Sequence, residues 1–427
     1  LPGSRFLLPA VINPVMLGAM NPWITLSIVT ITYIGIAIGY FPRLQTNRTT
    51  IALIGVGLLL LTRQINFEDI GAFLDLDTIV LLFSMMIINA NLRLAGFFGL
   101  AGNALLRLTR NPRGFLALEI LLMGVLSALF LNDTICLMFT PFLLDLTLAI
   151  GRNPIPYLIA LATSANIGSV ATLTGNPQNM IVGIASGISY LDFAATLTPI
   201  AILCLGIIWV VIILFYPGEF NRTNSFAIAP TTRVRYYPWL MYKTLAVIAS
   251  LLIAFMAGVP IALASFIAAS VLLITRQVRP DKVFSEIDWN LLVFFAGLFI
   301  VTGALEATGL TGQLLDATNL AGKFNAWSFS AVAVILSNLV SNVPAVLLLK
   351  PVTASLADPR AGWLTLAAAS TLAGNLTLLG SVANLIVAEI AGRRKVLLSF
   401  WEYTKAGALI TLITVLISTT WLALLIW

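Results

Sequence analysis

The chain has 427 residues, of which 59% are hydrophobic and only 9% charged, with a mean hydropathy of +1.01. A soluble domain carries roughly 25% charged residues, so this composition excludes one and defines an all-α polytopic membrane protein. The net charge of +6 does not point to nucleic acid, because the basic residues fall in loops between apolar runs. Histidine is absent, which removes the usual neutral-pH proton shuttle and the commonest metal ligand.

Residues 1–23 form an N-terminal segment, apolar in part but short and interrupted by prolines, whereas a span needs about 20 apolar residues. A first repeat occupies 24–216. It opens with predicted spans at 24–41, 49–62 and 78–94, followed by an apolar stretch at 115–150 interrupted by Asn132-Asp133-Thr134. Each arm of that stretch is about 16 residues, roughly 24 Å as helix. This is short of the bilayer core and predicts a re-entrant hairpin with a polar tip. A broken helix at 154–187 and a plain span at 194–216 complete the half. After a cytoplasmic linker at 217–239, the pattern recurs over 240–427. Spans at 240–257, 260–275 and 291–305 precede a hairpin at 326–356 with its tip at Ser341-Asn342-Val343-Pro344. A broken helix at 362–390 and a last span at 406–427 follow.

Two polar breaks carry the repeat. Thr174-Gly175-Asn176-Pro177-Gln178-Asn179 aligns with Leu379-Gly380-Ser381-Val382-Ala383-Asn384 at an offset of 205, and Asn132 aligns with Asn342 and Pro141 with Pro351 at 210. Gly, Pro and Asn in mid-span are tolerated only where backbone faces protein or a wet cavity. Matched breaks in two halves point to a substrate site near the membrane midplane. Each half holds five crossings and a hairpin, and an odd number inserts the second half upside down, which makes the two halves inverted repeats. Charge agrees with this topology. With both termini outside, Arg5, Arg63, Lys323, Lys350 and Arg360 are the outer basic residues. Arg93 lies inside a span, and the remaining seventeen of the 23 Lys and Arg fall on the cytoplasmic side, the positive-inside pattern of a plasma (inner) membrane protein.

The polar residues within apolar runs are the candidate site. Asn132, Asp133 and Thr134 suit helix capping, and a helix N-terminus at mid-membrane also offers N–H groups and a positive dipole end to an anion. A carboxylate near the bilayer centre costs about 2.5–3.5 kcal/mol on insertion scales, so Asp133 is the candidate proton or cation carrier. Ser164, Asn166 and Gly168 in the first broken helix and Asn375 in the second supply oxygens suited to a monovalent cation. With Asn132 and Asp133 they form the candidate coupling set. Ser337-Asn338 and Ser341-Asn342 lie one turn apart on one helix face. The candidate substrate residues are Thr134, Thr174, Gly175, Asn176, Asn179, Ser337, Asn338, Ser341, Asn342, Thr377, Gly380, Ser381 and Asn384. Interhelical bonding and close packing are the competing reading for these small and amide residues. Glu119, Asp145, Glu306, Lys350, Glu389 and Arg93 are weaker candidates, since side chains at span ends reach the interface. Cys136 and Cys204 sit in apolar runs with no metal or disulfide spacing. No metal site is expected, and no cofactor beyond a bound Na+.

In these residues the chain resembles the ion transporter superfamily. That superfamily includes arsenite permeases, divalent anion:sodium symporters, sodium/proton antiporters, the melanosomal P protein and plant silicon efflux transporters. Asn132-Asp133-Thr134 with Thr140-Pro141, and Ser337-Asn338-Leu339-Val340-Ser341-Asn342-Val343-Pro344, are similar to the arsenite permease and P-protein pattern. Ser164-Ala165-Asn166-Ile167-Gly168, followed by Thr174 to Asn179, is similar to P-protein, silicon-transporter and bacterial anion-permease sequences. The resemblance implies an elevator mechanism, in which hairpin tips and broken helices form a transport domain sliding past a scaffold domain that dimerises. Dicarboxylate symporters carry Ser-Asn-Thr at both tips. The tips here read Asn132-Asp133-Thr134 and Ser341-Asn342-Val343, a departure that favours a proton-linked or single-cation mechanism.

The expectation is a secondary active transporter, an anion permease for a small inorganic anion or oxyacid of the arsenite or silicic acid class, coupled to H+ or Na+. The alternatives are a sodium-coupled di- or tricarboxylate or sulfate symporter, a Na+/H+ antiporter, or a passive anion channel of the same fold. No Ser-His-Asp set exists without histidine and no Gly-x4-Gly-Lys-Ser/Thr loop appears, so an enzyme is not expected. A soluble ATPase partner, known for arsenite permeases, is compatible with the resemblance.

Overall fold

The computed structural model describes residues 20–38, 46–108, 111–220, 236–313 and 324–427. Residues 1–19 of the expected N-terminal segment and 221–235 of the expected linker lie outside the described residues. Among the described residues every regular element is helical, as lipid demands of a chain whose peptide groups must be satisfied internally.

Seventeen of the described helices have ten residues or more. The first half contains α1 (Pro22–Ile38), α2 (Arg48–Leu61), α3 (Leu76–Leu94), α4 (Phe97–Leu108), α5 (Pro112–Leu129), α6 (Asn132–Ala149), α7 (Ile155–Ser169), α8 (Pro177–Ser186) and α9 (Tyr190–Phe215). The second contains α10 (Pro238–Met256), α11 (Ile261–Leu273), α12 (Trp289–Ala307), α13 (Ala326–Val340), α14 (Asn342–Ala354), α15 (Pro359–Ala373), α16 (Val382–Arg393) and α17 (Phe400–Leu425). Six of them, α3, α5, α9, α10, α12 and α17, are long and apolar enough to cross a membrane.

Helix starts follow local chemistry. Side chains of Asn47, Asp75, Asn176, Asp288, Ser381 and Ser399, among others, each accept a hydrogen bond from a first-turn N–H, which satisfies an orphan donor. Pro112, Pro177, Pro238 and Pro359 stand in first turns, where a missing N–H costs nothing. Helix α4 falls where the sequence reading placed no element. Its Phe98 and Leu105 are buried and it packs on α3, α5 and α6. A Cβ at its Gly102 would stand 2.9 Å from the Phe142 ring of α6. At 12 residues it spans about 18 Å, so a reading tuned to membrane-length runs passes over it.

Packing exchanges elements between the halves. Helix α2 packs on α12, and α11 packs on α3, so second and third helices pair across the halves in both directions. Helix α6 packs on α16 as α14 does on α8, α5 on α7 as α13 on α15, and α9 and α17 on each other. Glycine allows the closest of these approaches. A Cβ at Gly297 of α12 would lie 3.0 Å from the Ala52 Cβ of α2, and one at Gly168 of α7 would fall onto the backbone of Gly124 in α5.

Candidate functional site

The helical run of α7 ends at Ser169 and α8 begins at Pro177; that of α15 ends at Ala373 and α16 begins at Val382. One fully buried asparagine holds each unwound segment. Asn179 Nδ2 donates to the carbonyls of Ser169 and Thr172, both at 2.9 Å. Asn384 Nδ2 donates to those of Gly374 and Thr377 at 2.8 and 3.1 Å. Donor and both acceptors are related by the same offset of 205 residues.

The two breaks also bind each other reciprocally. Asn176 Nδ2 donates to Thr371 Oγ1 at 3.3 Å, and its counterpart Ser381 donates through Oγ to Asn166 Oδ1 at 3.1 Å. Thr371 Oγ1 donates to Asn179 Oδ1 at 3.5 Å, and its counterpart Asn166 donates through Nδ2 to Asn384 Oδ1 at 3.0 Å. A contact between i and j that is repeated between their mates is the pattern a twofold axis generates.

Asn166 is the hub of this network. Besides the bonds above, its Oδ1 accepts from Asn132 Nδ2 at 3.0 Å and its Nδ2 donates to Asn375 Oδ1 at 2.9 Å, so both amide hydrogens and two acceptor positions are engaged. The first tip is fixed further by the Asn132 N–H, which donates to Gly175 O at 3.0 Å. At the second tip, Asn338 Nδ2 donates to Val334 O at 3.0 Å and Ala373 O at 3.2 Å. Ser341, the one residue between α13 and α14, adopts φ 79° and ψ 159°, a region that is essentially glycine-only and costs of order 1–3 kcal/mol.

A cavity of about 470 Å3 lies against this network. Six helices present their starts to it: α2 through Asn47, Arg48 and Thr49, α6 through Asn132 and Asp133, α8 through Pro177 and Gln178, α12 through Asp288 and Asn290, α14 through Ser341 and Asn342, and α16 through Ser381 and Val382. Each start carries roughly half a positive charge from its macrodipole. Side-chain caps cover the starts of α2, α8, α12 and α16, whereas α6 and α14 have none. The starts of α6 and α14, which have no side-chain cap, therefore border a cavity that Asp133, Asp288 and Arg48 also line. Around the tips, Asn132 Oδ1, Asn338 Oδ1, Asn342 Oδ1, Ser337 Oγ and Asn375 Nδ2 are buried without a described partner. In a protein interior such groups belong to a ligand, an ion or ordered water.

The candidate residues thus separate into a lining and a frame. Asn132, Asp133, Ser341, Asn342 and Ser381 line the cavity. Asn166, Asn176, Asn179, Asn375 and Asn384 stand behind it, with the bonds given above. Gly175 and Gly380 serve close approach, since a Cβ on them would lie 2.5 Å from Ser169 O and 2.8 Å from Gly374 O. Ser164 Oγ donates to Leu161 O within α7, Thr134 Oγ1 accepts from Asn89 Nδ2 at 3.5 Å, Thr172 and Thr174 hydroxyls meet at 3.5 Å, and Gly168 is a packing contact. Among the weaker candidates, Arg93 pairs with Glu286, Asp145 with Arg394 and Glu389 with Arg393. Glu119 is fully buried and neither carboxyl oxygen has a described partner.

Four residues went unassigned in the sequence reading: Arg48, Asp288, Gln178 and Thr371. Thr371 carried a signal, being the 205-residue counterpart of Asn166, and so did Asp288, which caps α12 as Asp75 caps α3 at an offset of 213. Arg48 had none, because it reads as one more positive-inside loop residue.

A polytopic helical chain whose interrupted helices and uncapped tips border a largely apolar cavity set with a few polar groups has the architecture of a membrane transporter. The chain belongs to the citrate transporter family, whose CitMHS model matches residues 33–373, and the superfamily expected from its motifs is thereby shown. It is 30% identical to the silicon efflux transporter LSI3 of Oryza sativa subsp. japonica over 87% of this chain and 91% of that one. It is 31% identical to a 46 kDa membrane protein of Mycobacterium leprae over 91% and 96%, and 26% identical to the putative transporter arsB of Dictyostelium discoideum over 88% and 87%. The fold is similar to that of the YdaH transporter of Alcanivorax borkumensis, with a TM-score of 0.58 at 15% identity over 94% of this chain and 96% of that one. It is also similar to MtrF of Neisseria gonorrhoeae, with a TM-score of 0.56 at 11% identity over 98% and 96%. The chain is a multi-pass membrane transporter and not an enzyme.

Proposed function

We propose that the chain is a secondary active transporter of a small anion or oxyacid, coupled to H+ or Na+, and that the cavity between the two tips is its transport site. The observation that carries this reading is the convergence of six helix starts, two of them uncapped, on one cavity that also holds a carboxylate at a hairpin tip. The dipole ends of the uncapped starts suit an anion, and the carboxylate of Asp133 suits the coupling cation. At about 470 Å3 the cavity is within the range of small-molecule sites.

The reciprocal bonds between the breaks support inverted repeats over 24–216 and 240–427, related by an axis through the site. Alternating access then follows as an elevator motion of α5–α9 and α13–α17 past α1–α3 and α10–α12, the latter dimerising. With both termini outside the inner membrane, the exposed rim residues Asn47, Asp288 and Asn290 face the cytoplasm, and the described state is inward-facing. A carboxylate solute is the second reading, favoured by the family match.

Purified protein in proteoliposomes tests the proposal. It should concentrate solute under an imposed proton or sodium gradient, which a passive channel cannot do. The Asp133→Asn variant should keep its fold and lose the dependence on the coupling ion. Coupling that is unchanged in that variant would remove Asp133 from the mechanism.

A further inference from the structure

Arg48 is out of place by local rules. It opens α2, where the macrodipole opposes a cation, and it is half-buried against the cavity instead of reaching fully into water as a loop arginine does. No described acid pairs with it: the described arginine ion pairs are those of Arg93, Arg152, Arg360, Arg393 and Arg394. Asp288 lines the same cavity and does not pair with it either. The position of Arg48 is fixed on both sides. Asn47 Oδ1 accepts from the Thr50 N–H and hydroxyl at 2.8 and 2.9 Å, and Thr49 Oγ1 donates to Asn290 O at 3.1 Å, tying the start of α2 to that of α12.

Asn132 and Asn342 line the same cavity. They are 4% and 8% exposed, and each keeps a side-chain oxygen without a described partner. The cavity therefore holds two unmet sets of groups. The guanidinium and the uncapped starts of α6 and α14 suit an anion, and the amide oxygens with Asp133 are acceptors for a cation or proton.

We propose that Arg48 recognises the charge of the transported solute, so that the protein carries a charged carboxylate or oxyanion and not an uncharged oxyacid such as silicic or arsenous acid. The planar fork of arginine binds carboxylate and oxyanion oxygens in pairs, and a neutral oxyacid gains little from a guanidinium. This inference rests on the cavity being the transport site.

The test uses the full chain in proteoliposomes under imposed proton and sodium gradients, with citrate, sulfate and arsenous acid as probes. Wild-type protein should concentrate citrate or sulfate and leave arsenous acid near its passive rate. Losing a charge-assisted hydrogen bond corresponds to about a tenfold to hundredfold loss of affinity, so Arg48→Gln should raise KM for the anion by that factor. Arg48→Lys, which keeps the charge without the fork, should fall between the two, and its intermediate KM stands as the test where the glutamine variant does not fold. A wild-type KM for the anions in Arg48→Gln overturns the proposal. So does wild-type protein that concentrates arsenous acid and neither anion, although the carrier reading survives that result. If none of the three probes is concentrated under either gradient, the carrier reading fails and this inference fails with it.

Discussion

Replacing Asn166 by leucine, which is close to isosteric, tests whether the asparagine network is what holds the two breaks together. Asn166 is 1% exposed and has four side-chain bonds, from Asn132 and Ser381 and to Asn375 and Asn384. Leucine would leave two donors and two acceptors unpaired in a buried site. Interhelical hydrogen bonds in membranes average about 0.6 kcal/mol each, which sets a lower figure of about 2.4 kcal/mol. Buried groups left unsatisfied cost about 1–3 kcal/mol each, and four of them set an upper figure of about 12 kcal/mol. The upper figure overcounts, because the neighbours relax around the leucine and Ser381 Oγ keeps its bond from the Ala383 N–H. The expected loss is about 3–5 kcal/mol, read as a melting temperature several degrees lower in detergent. Asn384→Leu should also destabilise, and the double variant should lose less than the sum, since the two residues share a bond. A melting temperature for Asn166→Leu equal to wild type would refute the reasoning.

Two further substitutions follow from the backbone. Ser341→Gly removes the left-handed strain at the second tip and should raise stability by about 1 kcal/mol or more. If transport depends on that held geometry, its rate should fall while melting temperature rises, and a variant less stable than wild type would contradict the assignment. Gly168→Ala places a methyl on the backbone of Gly124, so α5 and α7 must separate. A melting temperature lowered by several degrees is expected, since overpacking costs about 1–3 kcal/mol, and an unchanged one would show that the two helices shift freely.

Composition, 59% hydrophobic and 9% charged, together with continuous apolar runs of helix length, made this a helical membrane protein, because a run of that length satisfies its peptide groups in lipid as a helix. The interruptions in that pattern were equally legible. Gly175-Asn176-Pro177 and Gly380-Ser381 mark the unwound segments between α7 and α8 and between α15 and α16, because glycine, proline and amides in mid-span are unfavourable unless something local compensates. Asn132-Asp133 and Ser341-Asn342 likewise mark the starts of α6 and α14. What each polar residue does there was not legible, since an amide at a helix break can clamp backbone or bind a solute with the same atoms. Only the fold assigned the amide hydrogens of Asn179 and Asn384 to carbonyls ten and seven residues back, and left oxygens of Asn132 and Asn342 without partners. Arg48 and Asp288 reach the cavity only because α2 packs on α12. That contact joins residues about 240 positions apart, a separation at which sequence periodicity carries no information about neighbours.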